Sequence, residues 1–150
     1  MAEPLKGMFN REYYERLVTE VEDVAPSVHG PTLLQALLHG NADRELNARM
    51  RHTSSTLRAH LPADPRKAMD LLKLVAPRMP KNYTALVFAD FVGQFGLNEP
   101  KYALDALKYF TRFGSAEFAV REFFRRDMRG TLKVMRGWAE DTDEHVRRLA

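Results

Sequence analysis

With 150 residues, 45% of them hydrophobic and 29% charged, the chain suits one compact domain with a real core and is too apolar to be disordered. Zero cysteines exclude disulfides and thiolate metal sites, and no apolar run approaches the length of a membrane span. The opening M-A-E-P-L-K-G-M-F-N lacks the apolar core of a secretory signal, so a cytoplasmic protein is expected. The net charge of +3 decides little, but its distribution says more. Between Phe118 and Trp138, six basic residues (Arg121, Arg125, Arg126, Arg129, Lys133 and Arg136) stand against Glu122 and Asp127. Such an excess suits a polyanionic partner, and it also suits a plain solvated helix face.

Apolar spacing is helical nearly everywhere. Asn10 can cap a first helix whose inner face is Tyr14, Leu17, Val18, Val21 and Val24. Pro26 and Gly30 interrupt, and Pro31 fits the first turn of a short helix reaching Leu38. After Gly40-Asn41, a longer helix carries Leu46, Met50, Thr53, Leu57 and Leu61 on one stripe. Asp64-Pro65 opens the next, with Ala68, Leu71, Leu72 and Val75 inside, and Pro77 and Pro80 end it. A helix from Leu86 to Phe95 stops at Gly96, read as a C-terminal glycine. Asn98 is expected to begin the helix of Ala103, Leu107 and Phe110. Gly114 ends that one, Ser115 can cap the next, and Asp127 and then Thr142 or Asp143 start the last two.

An internal repeat orders these nine short helices. D-P-R-K-A-M-D-L-L-K-L-V at 64–75 aligns with E-P-K-Y-A-L-D-A-L-K-Y-F at 99–110, sharing Pro, Ala, Asp, Leu and Lys at a spacing of 35. D-M-R-G-T-L-K-V-M-R-G-W at 127–138 keeps the acid first and the basic third and tenth positions. Matches in register, each opening a helix after a turn, predict an all-α chain of stacked antiparallel hairpins, a HEAT- or armadillo-like α-solenoid; an irregular bundle is the alternative. With no Gly/Ser linker, residues 1–150 read as one such domain.

Motif-borne chemistry is sparse. The chain has no phosphate-binding G-x-x-x-x-G-K-[ST], no G-x-G-x-x-G after a strand and no G-x-S-x-G nucleophile elbow. The five histidines (His29, His39, His52, His60 and His145) never take a chelating spacing, so no metal and no cofactor is expected. The stretch F-G-S-A-E-F-A-V-R-E-F-F at 113–124 poses the sharpest question. A helix burying Phe113, Val120 and Phe124 would carry Glu117 on the same stripe. That carboxylate is either a helix N-terminal device, worth roughly 0.3–1 kcal/mol, or a group meant to face a cation in a shielded groove.

Two blocks carry a family resemblance. F-V-G-Q-F-G-L-N-E-P-K-Y-A-L-D-A-L-K-Y-F-T-R-F-G-S-A-E-F-A-V-R-E-F-F, then W-A-E-D-T-D-E-H-V-R-R-L-A, resembles the HEAT-like DNA alkylation repair glycosylases, most similarly the AlkC branch of the AlkC/AlkD superfamily. The opening residues and E-L-N-A-R-M-R-H are similar to that branch too, so the resemblance runs along essentially the whole chain; S-A-E-F-A-V-R and H-V-R-R-L-A are its most specific parts. It implies a monofunctional DNA glycosylase of base excision repair. Such an enzyme hydrolyses the N-glycosidic bond of cationic alkylated purines such as 3-methyladenine, as a monomer on double-stranded DNA.

Carried onto this sequence, the resemblance makes Glu117 the catalytic carboxylate and places Arg121 one turn along. His145, Arg147 and Arg148 match the backbone-contacting H-V-R-R, and Trp138 matches the W-A position. Arg125, Arg129 and Lys133 extend the DNA-facing basic set, and Trp138 and Phe113 are the aromatic faces available to a base. Trp138 also closes an apolar stripe with Leu132 and Met135, which gives it a core reading. Glu122 replaces the family's proline, and Gly114 a usual serine. In the family H-V-R-R-L-A runs on into further repeats that add a second carboxylate and a tryptophan. The chain is therefore expected to be the N-terminal part of a longer domain. A non-catalytic HEAT-like scaffold binding DNA or protein is the alternative reading.

Overall fold

Five of the nine α-helices among the described residues start at a side chain that accepts a backbone N–H. In the computed structural model, which describes residues 4–150, α1 spans Arg11–Val24 and Asn10 accepts from Tyr13 N at 2.9 Å. Residues 1–3 of the predicted opening motif lie outside the described residues. α2 is Gly30–Leu38, with His29 as its cap and Pro31 in its first turn. α3, Leu46–His60, follows, and α4, Pro65–Val75, opens on Asp64. α5 is Leu86–Phe95 and α6 is Pro100–Phe110. α7 is Glu117–Arg126, α8 is Met128–Trp138 capped by Asp127, and α9 is Glu144–Leu149 capped by Asp143. Nine α-helices and no strand are present among the described residues.

Two of the expected starts differ. Glu99, not Asn98, occupies the position before α6, and its carboxylate pairs with Arg66 of α4 at 2.7 Å; the Asn98 side chain instead accepts from Arg126 at 2.9 Å. Ala116 precedes α7, so Ser115 sits one residue early, and its hydroxyl accepts the Glu117 N–H at a long 3.4 Å. Gly96 does follow α5, but at φ −100°, so it is not there for a left-handed cap. A Cβ on it would stand 2.9 Å from the Cβ of Ala103, and the glycine serves the close approach of α5 and α6.

The helices stack in two layers. α1, α4 and α6 pack in sequence as an outer layer, and α2, α3, α5 and α7 as an inner one. The layers are joined where α1 meets α2 and where α6 meets α5 and α7, and α8 and α9 continue from α7. This is the helical-repeat solenoid that the 35-residue period implies. The aligned repeat segments are α4 and α6, which pack side by side, and α8. Tyr109 of α6 donates to the Lys73 carbonyl of α4 at 2.8 Å. Tyr102 donates to Asp70 beside it, which holds the Tyr102 hydroxyl up at about 12.

α5 is the centre of the stack. Val87, Phe88, Ala89, Phe91, Val92 and Gly93 are all buried, so the helix is apolar on nearly every side. Phe88 stacks on Phe110 of α6 at 5.7 Å, and Leu57, Leu72 and Phe123 are among the fully or almost fully buried side chains around it. At the N-terminal end, buried Arg49 donates to the carbonyls of Arg44, Lys6 and Phe9 at 2.8–3.2 Å, fastening the first turn to α3.

α5 and α7 approach closely at Gly93. A Cβ on Gly93 would lie 3.1 Å from the Cβ and 3.2 Å from the Cα of Ala119. Gly93→Leu should therefore overpack this crossing and lower stability by about 1–3 kcal/mol. Gly137→Ala, where the added methyl meets nothing within 4 Å, should be neutral or stabilising; equal thermal melts of the two variants would contradict this packing.

Burial of the His52 ring pushes its pKa below the ordinary histidine value, against the opposing hydrogen bond to the Ala36 carbonyl at 2.9 Å. The folded state then holds fewer protons than the unfolded one, so stability is present above about pH 6.5 and is lost as pH falls below it. Tm measured between neutral pH and pH 5 should drop for the wild type, and drop less for His52→Gln.

Candidate nucleic-acid interface

The one strip of α5 that the core leaves uncovered is Leu86, Asp90 and Gln94, at i, i+4 and i+8. It forms the floor of a cleft of about 430 Å³ on the inner layer. Asn47, Met50 and Arg51 of α3 make one wall, and Phe118, Arg121 and Arg125 of α7 make the other. Asp90 and Gln94 are the sole polar side chains of α5, and both line this cleft.

The cleft is basic and its cations are held in place. Arg51 forks onto Asp90, with Nε and Nη2 each 3.3 Å from a carboxylate oxygen. Arg125 pairs with Glu122 at 2.6 Å. The Arg121 guanidinium lies 4.8 Å from the ring of Phe118 and 3.4 Å from the Glu117 carboxylate. The Arg121 and Arg125 pairs are largely exposed, each worth at most about 1 kcal/mol, so an incoming phosphate can exchange for their carboxylates at low cost, whereas Asp90 is largely shielded beneath Arg51.

Glu117 does not sit on the apolar stripe of α7. The buried face of that segment is Ala116, Ala119, Val120 and Phe123, while the Glu117 side chain is 65% exposed. As the first residue of α7 it points at solvent beside Arg121, outside the cleft lining. The shielded-groove expectation is thus corrected, and the dipole-compatible position at the helix start holds.

The remaining expected residues divide by helix. Arg129 and Lys133 are exposed on α8, and His145, Arg147 and Arg148 on α9. Arg147 folds back to donate to the carbonyls of Asp141 and Thr142 at 2.8 and 3.0 Å, ordering the α8–α9 turn. In that turn the Asp143 N–H and Lys108 hold the Asp141 carboxyl below its usual range.

Trp138 is 4% exposed and packed with Met135 and Thr131, whereas Leu132, expected on the same stripe, is 41% exposed. Trp138 is therefore a core residue. Phe113 is half-buried against Tyr109, with the Lys81 ammonium 5.9 Å from its ring, and does not line the cleft. The aromatics that do are Tyr83, which is half-buried, and Phe118, 67% exposed.

Arg51, Asn47, Gln94 and Phe118 were not singled out from the sequence. The available signals were a lone acid and amide four apart on an otherwise apolar helix, and Phe118, Arg121 and Arg125 at i, i+3 and i+7. Among the described residues, no helix is long and apolar enough to cross a membrane.

No protein-family model matches the sequence. The chain is 33% identical over 147 residues to an uncharacterized protein of Bacillus subtilis, YhaZ, with 97% of this chain aligned. Its fold superposes with a TM-score of 0.93, at 37% identity and over 98% of its length, on the Pseudomonas fluorescens alkylpurine DNA glycosylase AlkC, in a structure bound to DNA containing an abasic site analog. The chain spans 41% of the length of each of these relatives. By sequence and by fold, nearly the whole chain is similar to part of an AlkC-type helical-repeat protein.

Proposed function

We propose that the protein is a DNA glycosylase of alkylation repair, hydrolysing the N-glycosidic bond of cationic purines such as 3-methyladenine in double-stranded DNA. The observation that carries the reading is the coincidence of two things. The fold is that of a DNA-bound alkylpurine glycosylase, and its inner layer presents a carboxylate, Glu117, next to a cleft walled by Arg51, Arg121 and Arg125.

The chemistry suits so exposed a carboxylate. A purine alkylated on a ring nitrogen already carries positive charge and leaves readily, so strong acid catalysis is not needed. What must be stabilised is the oxocarbenium-like sugar, and a water must be placed to attack it; a carboxylate approaching the sugar does both. Docking of a duplex over α7 would itself desolvate Glu117 and strengthen that interaction.

Arg121 and Arg125 would hold flanking phosphates, with Arg129, Lys133, His145 and Arg148 extending the contact along α8 and α9. Such contacts read no sequence and make binding strongly salt-dependent. Phe118 takes the place expected for Phe113 and Trp138 as the aromatic face near a base. Residues 1–150 are read as one HEAT-like repeat domain of this enzyme.

The test is release of 3-methyladenine from methylated duplex DNA by the wild type and by Glu117→Gln. Loss of about 10²-fold or more in rate is expected, with stability changed by less than about 1 kcal/mol. Equal rates would remove Glu117 as the catalyst. DNA binding by the wild type without any base release would favour a non-catalytic scaffold.

A further inference from the structure

Asp90 is an anomaly in the cleft. It is the sole acid on α5, its side chain is 15% exposed, and it lies on the floor of a groove whose one other acid, Glu122, sits on the α7 wall paired with Arg125. A carboxylate there costs desolvation unless it is hydrogen-bonded, and it repels any polyanion entering the cleft. Its partners explain how it is tolerated. Ser54 of α3, itself fully buried, donates to Oδ2 at 2.6 Å, and Arg51 supplies the bidentate fork. Core contacts alone already join α3 to α5, so a buried ionic tie is not needed to hold them together.

The geometry points to Asp90 as a positioning residue: with Ser54 it fixes the Arg51 guanidinium on the α3 wall, facing the cleft, to bind a backbone phosphate of the DNA. The fork uses Nε and Nη2 and leaves Nη1 with no protein partner among the described residues. An arginine fixed in this way loses little rotamer freedom when a phosphate arrives. Arg51 then grips the nucleic acid from α3 while Arg121 and Arg125 grip it from α7, so the duplex is held from both walls. This inference rests on the proposed DNA-binding role and adds to it the α3 wall, which the basic run of α7 and α8 does not reach.

The sign of one substitution separates positioning from simple charge. Asp90→Asn removes a negative charge from the cleft, so Coulomb attraction alone makes DNA binding tighter. Positioning makes it weaker, because the fork onto Arg51 is lost. Affinity for a duplex carrying an abasic-site analogue, measured by fluorescence anisotropy across a salt series, reads both.

The expected results are a Kd raised about three- to tenfold by Asp90→Asn, and a slope of log affinity against log salt reduced by about 1 in Arg51→Ala. Asp90→Asn should have no weakening effect in the Arg51→Ala background. Ser54→Ala, which leaves every charge in place, should weaken binding in the same direction and serves if Asp90→Asn does not fold. Equal or tighter binding by Asp90→Asn, or an unchanged slope for Arg51→Ala, overturns the inference while the DNA-binding role stands. Absence of salt-dependent DNA binding by the wild type overturns both.

Discussion

The architecture depends on the burial of α5. A ten-residue helix that is apolar on nearly all sides can be satisfied only by neighbours on all sides, and α3, α6 and α7 supply them. Their approach is set by small residues: Gly93 against Ala119 on one side and Gly96 against Ala103 on the other. Because these contacts are backbone-close, the inner layer cannot slide without opening voids or clashes. The two polar residues of α5 are thereby forced into the one gap between α3 and α7. The cleft is what remains when a buried helix runs out of neighbours.

That origin accounts for the electrostatics. Charges in the cleft are displayed from three helices on a rigid floor: Arg121 and Arg125 are tethered in exposed pairs that cost little to exchange, and Arg51 in a fork onto the shielded Asp90. Arg121 is the clearest case, held between the ring of Phe118 and the carboxylate of Glu117 within one turn of α7. A surface of this kind attracts and orients a polyanion without enclosing it. Catalysis on an already cationic leaving group asks for little more from the protein than a well-placed carboxylate. The exposure of Glu117 is consistent with chemistry in which the substrate, not a pocket, excludes the water.

Much of the fold was legible in the sequence because its helices are short, punctuated and periodic. Asn10, Asp64, Asp127 and Asp143 act as caps in the structure as their side chains predict, and the repeat picks out α4, α6 and α8. What the sequence misplaced is instructive. Asn98 yields to Glu99 because the capping rule is local, whereas the Glu99–Arg66 and Asn98–Arg126 contacts are long-range. Glu117 and Leu132 were assigned to apolar stripes, yet a shift of one position in phase turns both to solvent. The core reading of Trp138, from its stripe with Met135, holds, and Phe113, expected to be buried, is half-buried. The α3 side of the cleft was invisible for a different reason. Asn47 and Arg51 stand about forty and seventy residues from their partners on α5 and α7, and no periodicity links them.

Binding of nucleic acid by the inner layer, with Glu117 turned toward the lesion, is tested most directly by a crystal structure of the protein with duplex DNA containing an abasic-site analogue. Backbone phosphates are expected against Arg51, Arg121 and Arg125, with Trp138 still buried and the Glu117 carboxylate within about 4 Å of the abasic sugar. DNA lying instead across the outer layer of α1, α4 and α6, or a Glu117 remote from the abasic site, would contradict it.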